Sequence, residues 1–98
     1  MADQIKMNYP MMEDMAHAFS NGAEVLEMAL SEVIKIASSL EDGGLVGDAG
    51  DTLGEACRGP LANAIVGLKE KLEEMQSDVI AAKEAMQTSD TTSKSFYQ

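Results

Sequence analysis

Few residues in this 98-residue chain could do chemistry, and their spacing excludes most of it. His17 is the one histidine and Cys57 the one cysteine. A metal site needs further ligands of that kind, and a nucleophile needs a base beside it. His17 therefore reads as a helix-surface side chain, and Cys57 as a small buried one on the apolar side of the second helix. A lone cysteine also forms no internal disulfide, which excludes a cystine-stapled scaffold. The acids cluster among glycines: Glu41, Asp42, Asp48, Asp51 and Glu55 lie between or beside Gly43, Gly44, Gly47, Gly50 and Gly54. That mixture invites a phosphate loop, but no Lys-Ser or Lys-Thr follows, no strand precedes, and the acids repel phosphate. It also invites calcium. A loop begun at Asp42 puts Gly44 and Val46 in the third and fifth ligand positions, and one begun at Asp48 puts Gly50 third and Gly59 twelfth. Neither register supplies the oxygens an EF-hand needs. The segment reads as a turn with solvated caps.

Two further constellations fail. Glu73 and Glu74 are adjacent on one helix and point to neighbouring angles, not toward each other. The stretch Gly47-Asp48-Ala49-Gly50-Asp51-Thr52-Leu53 has the acidity of an acyl carrier protein without its Asp-Ser-Leu serine. No catalytic residue, metal ligand or cofactor is assigned, and the chain reads as a non-enzyme.

The elements carry more. Seven Lys and Arg against seventeen Asp and Glu leave a net charge of −10, which disfavours phosphate backbones and anionic membrane surfaces alike. Apolar residues make up 45 % of the chain, too many for disorder by composition, but no run is long enough to span a bilayer. Met1-Ala2-Asp3-Gln4-Ile5-Lys6-Met7-Asn8 does not read as a basic region followed by an apolar core, so no conventional signal peptide is expected.

Helical spacing organises the apolar residues. Met12, Phe19, Leu26, Val33 and Leu40 recur every seven positions. A second line runs Met15, Gly22, Ala29, Ile36, and a third Ala16, Ala23, Leu30, Ala37. Three lines in seven predict a bundle helix over 10–41, with Pro10 in its first turn. The glycines then stop it, and the turn is assigned to 42–47. Asp48 is the expected N-cap of a second helix over 48–90, with Asp51 in the capping-box position. From Leu61 the spacing is four and three: Leu61, Ile65, Leu68, Leu72, Met75, Val79, Ala82, Met86. Arg58-Gly59-Pro60 interrupts the pattern, so a kink, or a break with Pro60 restarting the helix, is expected near 58–60. Residues 1–9 read as an extended lead and 91–98, which have no period, as a mobile tail.

So short a link forces the two helices antiparallel. The fold class is all-α: an antiparallel two-helix hairpin. Its stripes are wider than one partner helix can cover, and soluble monomers expose no such strip. The hairpin is therefore expected to complete a four-helix bundle by dimerisation, with itself or a related hairpin. Met12, Phe19, Leu26, Val33, Leu61, Leu68, Leu72, Met75 and Val79 are the candidate dimer seam. Met12, Met15, Met75 and Met86 read as packing within such a seam.

On these residues the chain resembles the WXG family, the small ESAT-like hairpin substrates of type VII secretion. That family has Trp-x-Gly in the turn followed by small and apolar residues. Here Leu45-Val46-Gly47 occupies the turn, with Leu45 in place of the Trp, and Ala49 and Leu53 fit the pattern that follows. Ile5-Lys6-Met7-Asn8 looks like the family's lead into the first helix. Near the end of the second helix, where the family has Tyr-x-x-x-Asp or Glu, this chain has Met86-Gln87-Thr88-Ser89-Asp90. The resemblance covers about residues 5–90. It implies export without a cleaved signal peptide, to the medium or the cell surface. It also implies recognition by a membrane-associated secretion ATPase, and pairing with another hairpin or a larger secreted effector. In an antiparallel pair the turn of one hairpin lies near the chain ends of the other. Leu45, Gly47, Met86 and Asp90 are accordingly the candidate secretion-signal residues. Two other readings stand beside it. One is an intracellular helical adaptor or assembly subunit that stays in the cytoplasm. The other, an enzyme or carrier, has no supporting constellation.

Overall fold

The computed structural model describes residues 8–44 and 47–96, and the side chains of residues 8–43 and 47–89. Its backbone is helical almost throughout. Helix α1 spans Tyr9–Ser39, α2 spans Asp48–Ala56 and α3 spans Ala62–Phe96. The two long helices run antiparallel, with Glu13 beside Lys83 and Glu27 beside Lys69.

Local chemistry sets the boundaries. Asn8 is extended and its Oδ1 accepts from the Met11 N–H at 2.8 Å, so α1 is capped by a residue that the sequence pattern had assigned to the lead. Pro10 sits in the first turn, where its missing N–H is no loss. At the other end α1 widens into a turn over Leu40–Gly44, closed by Gly43 at φ 108°. Residues 45–46, and with them Leu45, lie outside the described residues. Gly47 follows at φ 72°, ψ −153°, a conformation open essentially to glycine.

Two expectations change here. Asp48 is not the N-cap. Gly47 holds that position, with no side-chain cap bond, and Asp48 and Asp51 instead place negative charge in the first turn of α2. The second helix is interrupted at Pro60. Five residues, Cys57–Leu61, form a wide turn between α2 and α3, because Pro60 has no N–H to give to the ladder. The helix also does not end at 90. The backbone of α3 continues to Phe96, since residues 91–96 contain neither Gly nor Pro to stop it. Residues 97–98 lie outside the described part.

The interior is thin. Among the described residues the buried apolar ones are Met12, Ala16, Ala23, Ala37 and Ala62. Four of the five are alanines, so the helices approach closely but bury little area. At Gly22 the approach is tightest: a Cβ there would stand 3.0 Å from the Leu72 Cδ1. The hairpin measures 76 × 23 × 16 Å with a radius of gyration of 21.7 Å. A compact chain of ~100 residues would have about 13 Å. The chain exposes 6,994 Å², whereas a compact 10.4 kDa monomer exposes roughly 5,400 Å². The excess per chain is about twice what one partner gives to a standard protein–protein interface.

Candidate interaction surfaces

The two long sides of the hairpin differ in chemistry. At 3.6 residues per turn, the inward line of α1 follows Met12, Ala16, Ala23 and Ala37. About a third of a turn or more from that line, toward the back of α1, lie Met11, Val25, Met28 and Ile36, all exposed, with Val25 at 59 % and Met28 at 64 %. On α3 the inward line follows Ala62, Ile65, Leu72, Gln76 and Lys83. About a quarter turn to one flank reaches Leu61, Leu68, Met75 and Met86, again exposed. In antiparallel helices, equal displacement in the helical sense falls on the same side of the pair. On α1 the comparable displacement reaches Met15, Leu26 and Val33, half-buried, so these residues share one apolar side of the pair with Leu61, Leu68, Met75 and Met86.

The opposite face is polar and holds the helices together. The Lys83 ammonium donates to Glu13 at 2.7 Å, and Lys69 reaches Glu27 at 3.3 Å and Glu73 at 2.9 Å. The hydrogen bond from Lys83, then its charge, holds the Glu13 carboxyl below its ordinary range. Hydrogen bonds to Glu73 and Glu27 raise Lys69 above its ordinary value. A shallow open groove of about 250 Å³ runs between the helices here, floored by Met12, Ala16 and Val79 with Glu13, His17 and Lys83 at its rim.

A third cluster ties the turn to α1. Arg58 donates from Nε to both carboxylate oxygens of Glu41 at 3.0 Å and from its terminal nitrogen to Ser38 Oγ at 2.8 Å. Glu41 raises the affinity of the guanidinium for its proton. Gly54 makes room, since a Cβ there would stand 2.7 Å from the Glu41 Cγ. Sequence reading passed over this cluster because its partners are seventeen and twenty residues apart and follow no period.

The residues singled out from sequence are distributed as follows. Of the seam candidates, Met12 is turned fully into the hairpin, with 3 % exposed. Phe19, Leu26, Val33, Leu72 and Val79 are half-buried at the same contact, while Leu61, Leu68 and Met75 face outward. The exposed large apolar residues of α1 are Met11, Val25, Met28 and Ile36. Gly47 lies at the turn end. Met86, exposed, lies about one helical turn beyond Lys83, level with the start of α1. Thirty-nine residues of mostly helical chain separate the two, on the order of 55 Å at ~1.5 Å per residue. One hairpin does not bring them together. For Asp90 the backbone is helical and the side chain lies outside the described part. His17 is exposed, and Cys57, the first residue of the wide turn, is half-buried and not fully enclosed.

Among the described residues no three His, Cys, Asp or Glu side chains are grouped to hold a metal ion, and no helix is long and apolar enough to cross a membrane. Neither a curated protein nor a solved structure matches the chain. The family model WXG100, proteins of 100 residues with WXG, matches residues 4–91. That span takes in α1, the glycine turn, α2 and α3 as far as residue 91, and the chain belongs to the WXG100 family.

Proposed function

We propose that this chain is a non-enzymatic small substrate, or co-secreted partner, of a type VII secretion system, and acts as a dimeric helical bundle. The WXG100 family is associated with small type VII secretion substrates, helical and without enzymatic activity. The observation that carries the reading for this chain is its open apolar face, set on a hairpin whose turn and C-terminal end lie far apart. A second hairpin packed antiparallel covers the face. It also brings the turn of one chain, with Leu45 and Gly47, to the Met86–Asp90 end of the other. A composite signal of that kind is read only from a folded pair. In this reading Leu45 is the apolar plug of the turn, Gly47 its tight-turn residue, and Asp90 the polar contact offered to a secretion ATPase. The partner is a second copy, a related hairpin, or the helical part of a larger effector. The destination is the medium or the cell surface.

Export assays of wild type, Asp90→Ala and Gly47→Ala in the native cell test this. Wild type is expected in the culture supernatant, and Asp90→Ala inside the cell, still helical by circular dichroism. Retention of wild type in the cytoplasm with its partner supplied would sink the reading and favour an intracellular adaptor. Normal export of both variants would remove the assigned signal.

A further inference from the structure

The turn end is held unlike the rest of the hairpin. Every side chain of α2 is exposed, and its two buried residues, Gly50 and Gly54, have none. Leu53, the one large apolar residue of α2, is 46 % exposed. The helix is nine residues long, below the length at which an isolated helix persists in water. Two of the nine are glycines, which disfavour a helix interior, and Gly47 at the cap offers no side-chain bond. Asp48 and Asp51 in the first turn add only a small electrostatic gain at the surface. Left to itself, α2 would not stay folded.

Its neighbours are anchored. Ala37 near the end of α1 and Ala62 at the start of α3 are buried, and farther along Glu27 pairs with Lys69 and Glu13 with Lys83. Between Ala62 and α2 lies the wide turn Cys57–Leu61. Pro60 gives no N–H to the ladder there, and a Cβ on Gly59 would meet nothing within 4 Å. A rotation of α2 about this turn therefore breaks few contacts. What bridges α2 to the end of α1 is Glu41. Its carboxylate is taken by Arg58, and its stem lies over Gly54. Arg58 in turn is tied to Ser38. The clasp is open to water, with the Arg58 and Glu41 side chains 41 % and 31 % exposed, so dissolved salt reaches it.

We propose that α2 is a latched segment: it undocks from the end of α1 as a unit, turning about Cys57–Leu61 while α1 and α3 stay paired, and the Arg58–Glu41 clasp sets how often it does so. The turn end then has two states, a docked corner and a released connection between the long helices. A partner that prefers the released state shifts the population toward it. The device belongs to the turn end alone and rests neither on export nor on pairing with a second hairpin.

Amide hydrogen exchange of the full chain, resolved by residue, tests it. The amides of α2 are expected to exchange at least about a hundredfold faster than those of α3 from Leu72 to Val79, which report opening of the hairpin itself. Glu41→Gln keeps the stem and removes the charge from the clasp, and Arg58→Ala removes its other half. Each is expected to speed exchange in α2 by about threefold to tenfold and to leave Leu72–Val79 within about twofold. Raising sodium chloride from about 20 mM to about 500 mM is expected to speed α2 in wild type and to leave it unchanged in the Glu41→Gln chain. Circular dichroism checks that the variants keep their long helices. Exchange in α2 as slow as in Leu72–Val79 overturns the proposal, as do variants that speed both segments alike. Fast exchange in α2 that is the same in wild type and both variants overturns the latch.

Discussion

Arg58 holds both carboxylate oxygens of Glu41 at 3.0 Å, and that fork fixes the turn end of the hairpin. The two-oxygen geometry gives direction as well as attraction. It crosses the flank of α2 at Gly54, where a side chain would meet the Glu41 stem at 2.7 Å. One glycine therefore serves one ion pair.

Gly54→Ala is accordingly expected to show opposite effects in two backgrounds. Alanine is favoured in a helix interior over glycine by about 1 kcal/mol. In a Glu41→Ala chain that gain is expected in full, since the obstructing stem is gone. In the native chain it is expected to vanish or reverse, because Glu41 must leave Arg58 to make room. Urea unfolding of the four chains measures this. Equal effects of Gly54→Ala in both backgrounds would mean that the clasp does not couple to α2.

Gly47 has a backbone reason for its identity that is independent of export. At φ 72° and ψ −153° a Cβ is strained wherever the space allows it. Gly47→Ala is expected to cost about 1–3 kcal/mol of stability, read from the denaturant midpoint at constant m-value. A midpoint unchanged from wild type would show that the turn relaxes without cost. This measurement also separates a folding defect from a signalling defect in the export assay.

The alanines of the seam set the distance between α1 and α3. Ala23 and Ala37 are buried, with Ala37 at 0 % exposure. Ala23→Leu is expected to destabilise by about 1–3 kcal/mol through overpacking, despite leucine's adequate helix propensity. Val25→Leu, two residues on and facing outward, is expected to be within about 0.5 kcal/mol of wild type in the monomer. Similar penalties at both sites would contradict the two-faced hairpin.

Acid stability is expected to depend on Glu13. The Lys83 hydrogen bond and charge keep its folded carboxyl below the ordinary 4.5, so its contribution is present above that value. The contribution is lost as pH falls through the ordinary range toward the lowered folded value. Glu13→Gln removes the titration. The variant is expected to be less stable than wild type at pH 7 and to lose less on going to pH 3. Parallel pH profiles for the two proteins, from thermal melts at fixed concentration, would rule out this ion pair as a contributor. Lys69 has the reverse sign: raised by Glu73 and Glu27, it contributes below its ordinary range and loses that contribution at alkaline pH.

How far the fold could be read in advance depends on the range of the forces involved. Met12, Phe19, Leu26 and Val33 at sevens, and Leu61 to Met86 at fours and threes, are local patterns, and they determine two long helices. Gly43 and Gly47 determine a reversal between them, because a positive φ is a property of single residues. A stripe three lines wide determines that one partner helix does not suffice. Local rules also had local failures. Asp48 looked like a cap, yet Gly47 took that place because the chain must enter α2 in a conformation that aspartate does not adopt. The threonines and serines after Asp90 looked like a tail, yet nothing among them ends a helix.

By itself, then, the sequence determined an all-helical, acidic hairpin with more apolar surface than it can bury. Only the tertiary structure decided which surface that is. The register of α3 on α1 consumes Met12 and the alanine line, and leaves Val25, Met28, Leu68 and Met75 outside. It also joins Glu13 to Lys83 and Glu41 to Arg58. Register is set by contacts between residues tens of positions apart, which compete along the whole length of two helices, and no window of sequence contains that competition.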